Sequence, residues 1–431
     1  MRMAGRLWRR LGSFTPNARY YLLSSIIYAL GYNINWLIFN LYVDRSGYSR
    51  SFLGELQSMP YLVSILGTLP ITVVVDRIGR KRALIVAMVG QLVAGAGIVA
   101  AQGPWLLRLS MITTGLAGTL WMVSASPFMM ENSTERDRDG LFSASYGLQT
   151  LVGFVGTLVG GYLPTVAGGL LGVGVESVAA YRSTLAVMTV LYGLAALPLL
   201  AIEERLRTTL AERRSMLPWH NVSDKSIVLR IFAPNIIISM GAAILIPYMN
   251  LFFKETFLIS DRALGMLFAV SSVVTGVATL ASPLLARRWG RIRSLVMTQL
   301  VSIPFLLAIG FSPVFWVSGL AFWVRAALMN MGNPLYSAFA MGQVPERERA
   351  TVSGLMGMSW NIGWAIGPYL SGTMQQNPQI GFRPIFVVTC SLYLVAAIMT
   401  SRFFQRMDDR QRLEAQMRAL GVTLIRQEQA R

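Results

Sequence analysis

Polar side chains set inside long apolar runs are the residues of this sequence that can do chemistry, because hydrocarbon makes each of them costly. Arg325 is the clearest case. It falls about a dozen residues into the run Val314–Met341, near mid-membrane depth at ~1.5 Å of helix rise per residue. A guanidinium there can be the counter-charge for an anionic group of a substrate. It can equally cap helix carbonyls or pair with a polar neighbour, and the sequence leaves both open. Asn330, Asn333 and Tyr336 continue the same run. Elsewhere Tyr32, Asn33, Asn35, Trp36 and Asn40 crowd the first run, and Trp121 and Ser124 come from the fourth. Gln149 lies in the fifth, Asn235 and Asn250 in the seventh, and Trp360, Asn361 and Trp364 in the eleventh. Amides in lipid turn inwards to find partners, some across helices and some on a substrate. Trp, Tyr and Asn suit a sugar, and equally an amphipathic, drug-like molecule held by aromatic rings. Carboxylates are scarce: Glu55 sits early in the second run and Glu131 ends the fourth, so proton coupling has no evident carrier. Arg108 is near an interface, where a long side chain can snorkel.

The rest of the inventory excludes whole classes of function. His220 and Cys390 are the only histidine and cysteine. A His/Cys metal centre, a disulfide framework and a Ser-His-Asp triad are therefore unavailable, and neither enzyme chemistry nor a cofactor is expected. With 54% hydrophobic and 13% charged residues, the chain lacks the charge a water-facing surface needs, about 25% in soluble domains. The net charge of +18 does not mark a nucleic-acid binder, because the basic residues fall in alternate gaps between apolar blocks instead of on one face.

Those blocks have the length that crosses a bilayer as a helix. They read as spans at Ala18–Val43, Phe52–Val75, Ala83–Ala101, Leu106–Met130, Leu141–Leu163 and Tyr181–Ile202. After a polar stretch, Glu203–Asp224, come Ile227–Phe253, Ala263–Ala286, Ser294–Phe311, Val314–Met341, Thr351–Met374 and Ile385–Phe403. A charged helical tail follows. Met1–Ser13 is basic and lacks the apolar core and small-residue cut site of a cleavable signal. One set of gaps holds Arg77, Arg80, Lys81, Arg82, Arg136, Arg138, Arg205, Arg287, Arg288 and Arg291, with the Arg-rich termini; the opposite set holds Arg45, Arg50, Arg182, Lys254, Arg262 and Arg383. Both termini and the central loop are therefore expected on the cytoplasmic side, which requires an even number of spans.

An internal repeat organises the spans. Arg77-Ile78-Gly79-Arg80 is echoed by Arg288-Trp289-Gly290-Arg291, 211 positions on. In the same register Glu135-Arg136-Asp137-Arg138 meets Glu346-Arg347-Glu348-Arg349, and Gly156-Thr157-Leu158-Val159-Gly160-Gly161 meets Gly367-Pro368-Tyr369-Leu370-Ser371-Gly372. Asn40-Leu41-Tyr42 and Leu53-Gly54 are mirrored by Asn250-Leu251-Phe252 and Leu264-Gly265. Six spans return the chain to its starting side, so the halves are parallel repeats, one of the transporter plans. The expected organisation is a six-helix half over 1–202, a cytoplasmic loop over 203–226, a second half over 227–404 and a cytoplasmic tail over 405–431.

Asp76-Arg77-Ile78-Gly79-Arg80-Lys81-Arg82, between the second and third spans, closely resembles the signature loop of the major facilitator superfamily. The resemblance extends from about Asn17 to Phe404. It implies an all-α membrane protein with twelve transmembrane helices in two parallel halves. Two positions depart from the pattern: Thr72 stands where the family usually has Gly, and Arg287 replaces the acid in the second copy. By resemblance Asp76, Arg77, Gly79 and Arg80, with Glu131 and Arg136, form a cytoplasmic gating latch; the plainer alternative is that these charges stop helices and set orientation. Gly156, Gly160 and Gly161 resemble the family's antiporter motif with Thr157 in the Pro position, while Gly367 and Pro368 keep part of it. Small residues at such spacing let backbones pack closely, the simpler reading. The resemblance also places Tyr32, Asn33, Asn35, Trp36, Asn40, Trp121, Gln149, Asn250, Arg325, Asn330, Asn333, Trp360, Asn361 and Trp364 on helices lining a central cavity. The function expected is secondary transport by alternating access, leaning to efflux of a small amphipathic molecule. Uptake or exchange of a sugar or organic anion, and a non-transporting receptor, are the alternatives. The expected partners are a small-molecule substrate, the bilayer of the plasma membrane and a proton or other coupling ion, without nucleic acid, for a monomer.

Overall fold

The computed structural model describes residues 14–203, 223–345, 348–376 and 381–419, with side chains omitted at 135, 136, 139, 350 and 405–419. The basic start, His220 with most of the central loop, Glu346, Arg347, the Arg136 side chain and the end of the tail lie outside the described residues.

Every regular element among the described residues is helical. The first six are α1 (Pro16–Arg45), α2 (Arg50–Ile78), α3 (Arg80–Ala100), α4 (Pro104–Glu131), α5 (Glu135–Leu171) and α6 (Val178–Leu200). Then come α7 (Lys225–Leu245), a 3₁₀ turn at Ile246–Tyr248 and α8 (Met249–Phe257), which together make one span. The chain ends with α9 (Asp261–Trp289), α10 (Arg291–Phe311), α11 (Phe315–Gly342), α12 (Arg349–Met374) and α13 (Arg383–Ala419). Polar residues start the helices. The side chains of Thr15, Ser49, Thr134 and Ser177 accept from backbone N–H groups of the first turns of α1, α2, α5 and α6. Gly172, at φ +66°, closes α5 in the left-handed conformation that glycine takes without strain.

Two of these elements differ from the sequence expectation. The seventh span is not one continuous helix: it breaks at Ile246–Tyr248, where Pro247 lacks the N–H that a continuing helix needs. α5 runs on past Pro164 to Leu171, eight residues beyond the expected end at Leu163.

Among the described residues ten spans are long and apolar enough to cross a membrane by length and composition. α11 and α12 are not among them, and these two carry Arg325, Asn330, Asn333, Trp360, Asn361 and Trp364. Large apolar side chains cover the outside, Leu66 at 71% exposed, Leu280 at 83% and Trp316 of α11 at 74% among them.

The chain divides into two compact units. Of the described residues, one holds 14–203, 239–273, 360–376 and 381–386; the other holds 223–238, 274–345, 348–359 and 387–419. In the first, α1 packs on α5 and α6, α3 on α4 and α6, and α2 on α4. Its buried centre includes Tyr21, Leu84, Met88, Phe128, Leu141 and Leu199. In the second, α10 packs along α11. Ile231, Ile292, Phe339 and Phe404 are buried together there.

Candidate functional site

The side chains of α1 spaced at helical intervals share one stripe, and the fold turns that stripe into an aromatic ladder. Tyr21 stacks on Trp121 of α4 with ring centroids 5.5 Å apart. Tyr28 reaches Trp121 and Tyr192, each at 5.4 Å, and then Tyr32 at 6.2 Å. Tyr32 and Trp36 lie 6.4 Å apart, and Trp36 meets Trp364 at 5.8 Å. Trp364 also contacts Tyr61 at 5.1 Å and Trp360 at 6.4 Å. These spacings are within the range in which aromatic pairs attract through their quadrupoles. Tyr32 is 41% exposed, whereas Trp364 is buried, and its indole N–H has no hydrogen-bond partner. A buried donor without a partner is unusual enough in a folded protein to call for an explanation.

The ladder joins Tyr32, Trp36, Trp121, Trp360 and Trp364, which the sequence singled out, to Tyr21, Tyr28, Tyr61 and Tyr192, which it did not. Tyr28 was within reach of sequence reading, since it lies one helical turn before Tyr32 on the same face. Tyr61 and Tyr192 carry no such local signal.

The amides have other engagements. Asn40 donates to Asn250 Oδ1 at 3.1 Å and to the carbonyl of Pro247, and accepts from Gln57. Asn250 in turn donates to the carbonyl of Leu37 at 2.8 Å. Each asparagine thus serves the carbonyl three residues before the other, a reciprocal pair between positions that the repeat already matched. Both are buried, and their polar atoms face protein. Asn33 donates to Ala29 O and Asn330 to Ala326 O, each at 2.8 Å and within its own helix. Gln149 reaches Ser145 Oγ at 3.1 Å, and Asn361 reaches Ser64 Oγ at 3.4 Å. Asn35 Oδ1 is buried without a partner, and Asn333 is exposed.

Arg325 belongs to the second unit. Its Nη2 donates to the hydroxyl of Tyr393 at 2.6 Å, and the side chain is buried, with Nε lacking a partner. In the loop region, Arg80 pairs with Asp76 at 2.8 Å and approaches Glu131 at 3.8 Å, while Arg77 is exposed.

The glycines mark close helix crossings, again in reciprocal pairs. A Cβ on Gly54 would overlap the carbonyl oxygen of Pro368, and one on Gly265 would lie 2.8 Å from that of Thr157. Gly161 would meet the carbonyl oxygen of Asp261 at 2.7 Å, and Gly372 would overlap that of Arg50. Gly156 would come within 2.8 Å of Asn33 Cβ, Gly160 within 3.3 Å of Ile34 Cα, and Gly367 within 2.6 Å of Ala243 Cβ. Tyr248 donates to the carbonyl of Pro368 at 2.9 Å.

Charged pairs at the opposite end from Asp76 escaped the sequence reading. Glu55 and Arg108 form a two-pronged pair at 2.6 and 3.0 Å. Asp261, two residues before the expected span start at Ala263, is buried and bonded by Lys254 and Tyr181. Among the described residues no group of His, Cys, Asp and Glu has the arrangement of a metal site.

Comparison with known proteins agrees with this architecture. The Major Facilitator Superfamily pattern matches residues 21–238 and again 231–428. Multidrug resistance protein MdtH of Salmonella typhimurium is 22% identical over 84% of this chain and 86% of its own. Multidrug resistance protein MdtG of Citrobacter koseri is 28% identical over 38% of this chain, a match spanning 41% of that relative's length. Among solved structures, a bacterial homolog of the human lysosomal transporter Spinster, in an inward-facing and unoccupied conformation, superposes with a TM-score of 0.75 at 17% identity, covering 91% of this chain and 98% of its own.

Proposed function

The chain belongs to the Major Facilitator Superfamily, a family of membrane transporters, and we propose that it exports small amphipathic molecules by alternating access. The observation that carries this reading is the aromatic ladder ending at Trp364. Stacked rings offer apolar and cation-attracting faces to ligands of many shapes, and the indole N–H supplies one directional donor. Small-molecule sites are mostly apolar with a few placed polar groups, the mix these rings supply. The multidrug names of the two bacterial relatives favour the same substrate class.

The protein is an integral multi-pass membrane protein. In this reading both termini and the loop over 203–226 are cytoplasmic in the plasma membrane, and the halves over 1–202 and 227–404 rock about the site in a monomer. Asp76, Arg77, Gly79, Arg80, Glu131 and Arg136 serve as the cytoplasmic latch, for which the Asp76–Arg80–Glu131 cluster is the support. Gly156, Gly160, Gly161, Gly367 and Pro368 set the helix crossings along which movement occurs.

Accumulation of a panel of fluorescent amphipathic dyes in inverted vesicles, where export runs inwards, tests the reading. Trp364→Ala should raise the half-saturating dye concentration by about tenfold, the value of one stacked aromatic contact. Trp364→Phe should restore part of it. Dye movement indifferent to both variants would reject the ladder as the site. Arg325 favours a second reading: a buried guanidinium with one neutral partner and an open Nε suits an organic anion. Transport restricted to anionic compounds, and lost in Arg325→Met, would establish that alternative.

A further inference from the structure

At the α1–α2 end of the first unit lies a cavity of about 300 Å³, whose lining includes Asp44, Arg45, Glu176, Tyr181, Lys254 and Glu255. Its charges are wired together. Arg50 pairs with Asp44 at 3.0 Å and with Glu255. Glu176 is held at 2.8 Å by Arg45 on one side and at 2.8 Å by Lys254 on the other. Lys254 is shared with Asp261, which is 2% exposed and also accepts from the Tyr181 hydroxyl at 3.1 Å. Arg262 turns away, to Thr165 and the Tyr162 ring.

Two features single out Asp261. First, three cations (Arg45, Arg50 and Lys254) face four carboxylates (Asp44, Glu176, Glu255 and Asp261), so the network is one positive charge short. Second, Asp261 is the internal repeat's counterpart of Arg50, with Lys254 beside it where the first half has Asp44. The pair exists twice with its charges reversed, and only the second copy puts the carboxylate in the buried position. Here α5 and α9 touch through Gly161 and Gly265, backbone against backbone. The polar bonds of Asp261 tie the start of α9 to α6 and α8, while Arg262 ties it to α5.

We propose that Asp261, bonded to Lys254 and Tyr181 of the cavity wall, is a proton carrier reached through this cavity, and that loading it releases α9 from α6 and α8. The proton arrives from solution through the cavity and forms an O–H bond on the Asp261 carboxylate. Lys254 keeps its own proton and its bond to Glu176, and no other covalent bond changes. The charge deficit is then filled, and the Lys254–Asp261 attraction is lost. Glu176 does not substitute for Asp261. Burial works upward on its carboxyl, but Lys254 and Arg45 outweigh it and hold the group below its ordinary 4.5, so it stays ionised in mild acid. The inference extends the export reading by naming the coupling ion and its place.

A substrate-free test separates the two. In the full chain with Cys390→Ser, a reporter Leu41→Cys is placed in the buried cavity wall, and an exposed Gly174→Cys in a parallel protein corrects for thiol ionisation. An impermeant maleimide is applied to proteoliposomes at neutral and mildly acidic pH. The corrected rate at Leu41→Cys should rise about tenfold in acid, the effect expected of one pKa unit in the balance between joined and parted states. Asp261→Asn should be fast at both pH values, Asp261→Glu should keep the response, and Glu176→Gln should keep its acid step. An acid response surviving in Asp261→Asn, or absent from the parent, overturns the proposal. The expected labelling in a protein that moves no dye refutes export alone; dye efflux without the labelling response refutes the proton site alone.

Discussion

Replacing Asn40 with Ala should cost the fold more than any single exposed change, and the amount can be worked from its bonds. The substitution removes donation to Asn250 and to the Pro247 carbonyl, and acceptance from Gln57. At the average of about 0.6 kcal/mol for a hydrogen bond inside a membrane protein, the three lost bonds amount to about 2 kcal/mol. The Pro247 carbonyl stands at a helix break and loses its asparagine donor, and an orphaned buried group costs about 1–3 kcal/mol more. A loss of about 3–5 kcal/mol is therefore expected. Unfolding by SDS titration in mixed micelles measures it, with Leu66→Ala, at a position 71% exposed, as the control. Asn250→Ala should lose a similar amount, and the double variant should cost less than the sum, because the two share bonds. An Asn40→Ala protein within about 0.5 kcal/mol of the parent, the range of ordinary surface changes, would refute the reciprocal pair as a determinant of stability.

Other outcomes follow from the geometry. Gly161→Val should prevent α5 and α9 from closing, since even a Cβ meets backbone at 2.7 Å; strain of about 1–3 kcal/mol is expected, and thiol labelling at Leu41→Cys should be fast at every pH. Arg80→Ala should lower stability by less than about 1 kcal/mol, because its partners are half exposed, so a transport loss larger than that would assign the latch to gating. Glu176 has a depressed pKa, so its contribution is present above the ordinary 4.5 and disappears only as pH falls below it; Glu176→Gln should abolish that strongly acidic step in thermal melting curves and leave neutral behaviour otherwise unchanged in slope.

The span count, the repeat and the helical class were legible in the sequence because hydrophobic length and basic gaps report directly on the bilayer. What escaped was pairing at a distance. Glu55 and Arg108 were each visible as charges near an interface, yet the bond between them joins residues on different helices and has no local signature. Asp261 lies two residues before the expected helix start, enough to move a buried carboxylate into a loop. The break at Pro247 was hidden because the apolar run continues straight across it, and hydropathy does not register a lost N–H. Asn40 and Asn250 were noticed for their polarity, whereas their mutual bonding became visible only once the helices were placed.

Gly79 and Gly290 show how the two halves have aged. Both have φ near +90°, at 87° and 89°, a conformation closed to other residues. Both close one helix and open the next with the same bonds: Gly79 N to Val75 O and Ala83 N to Gly79 O, Gly290 N to Ala286 O and Ser294 N to Gly290 O. The acid that preceded the first has become Arg287 in the second, while the bend is unchanged. The bend is therefore formed with either charge set, so turn and charge are separable. A chimaera carrying residues 287–293 in place of 76–82 should insert and fold, which would let the contribution of the charges be read apart from that of the turn.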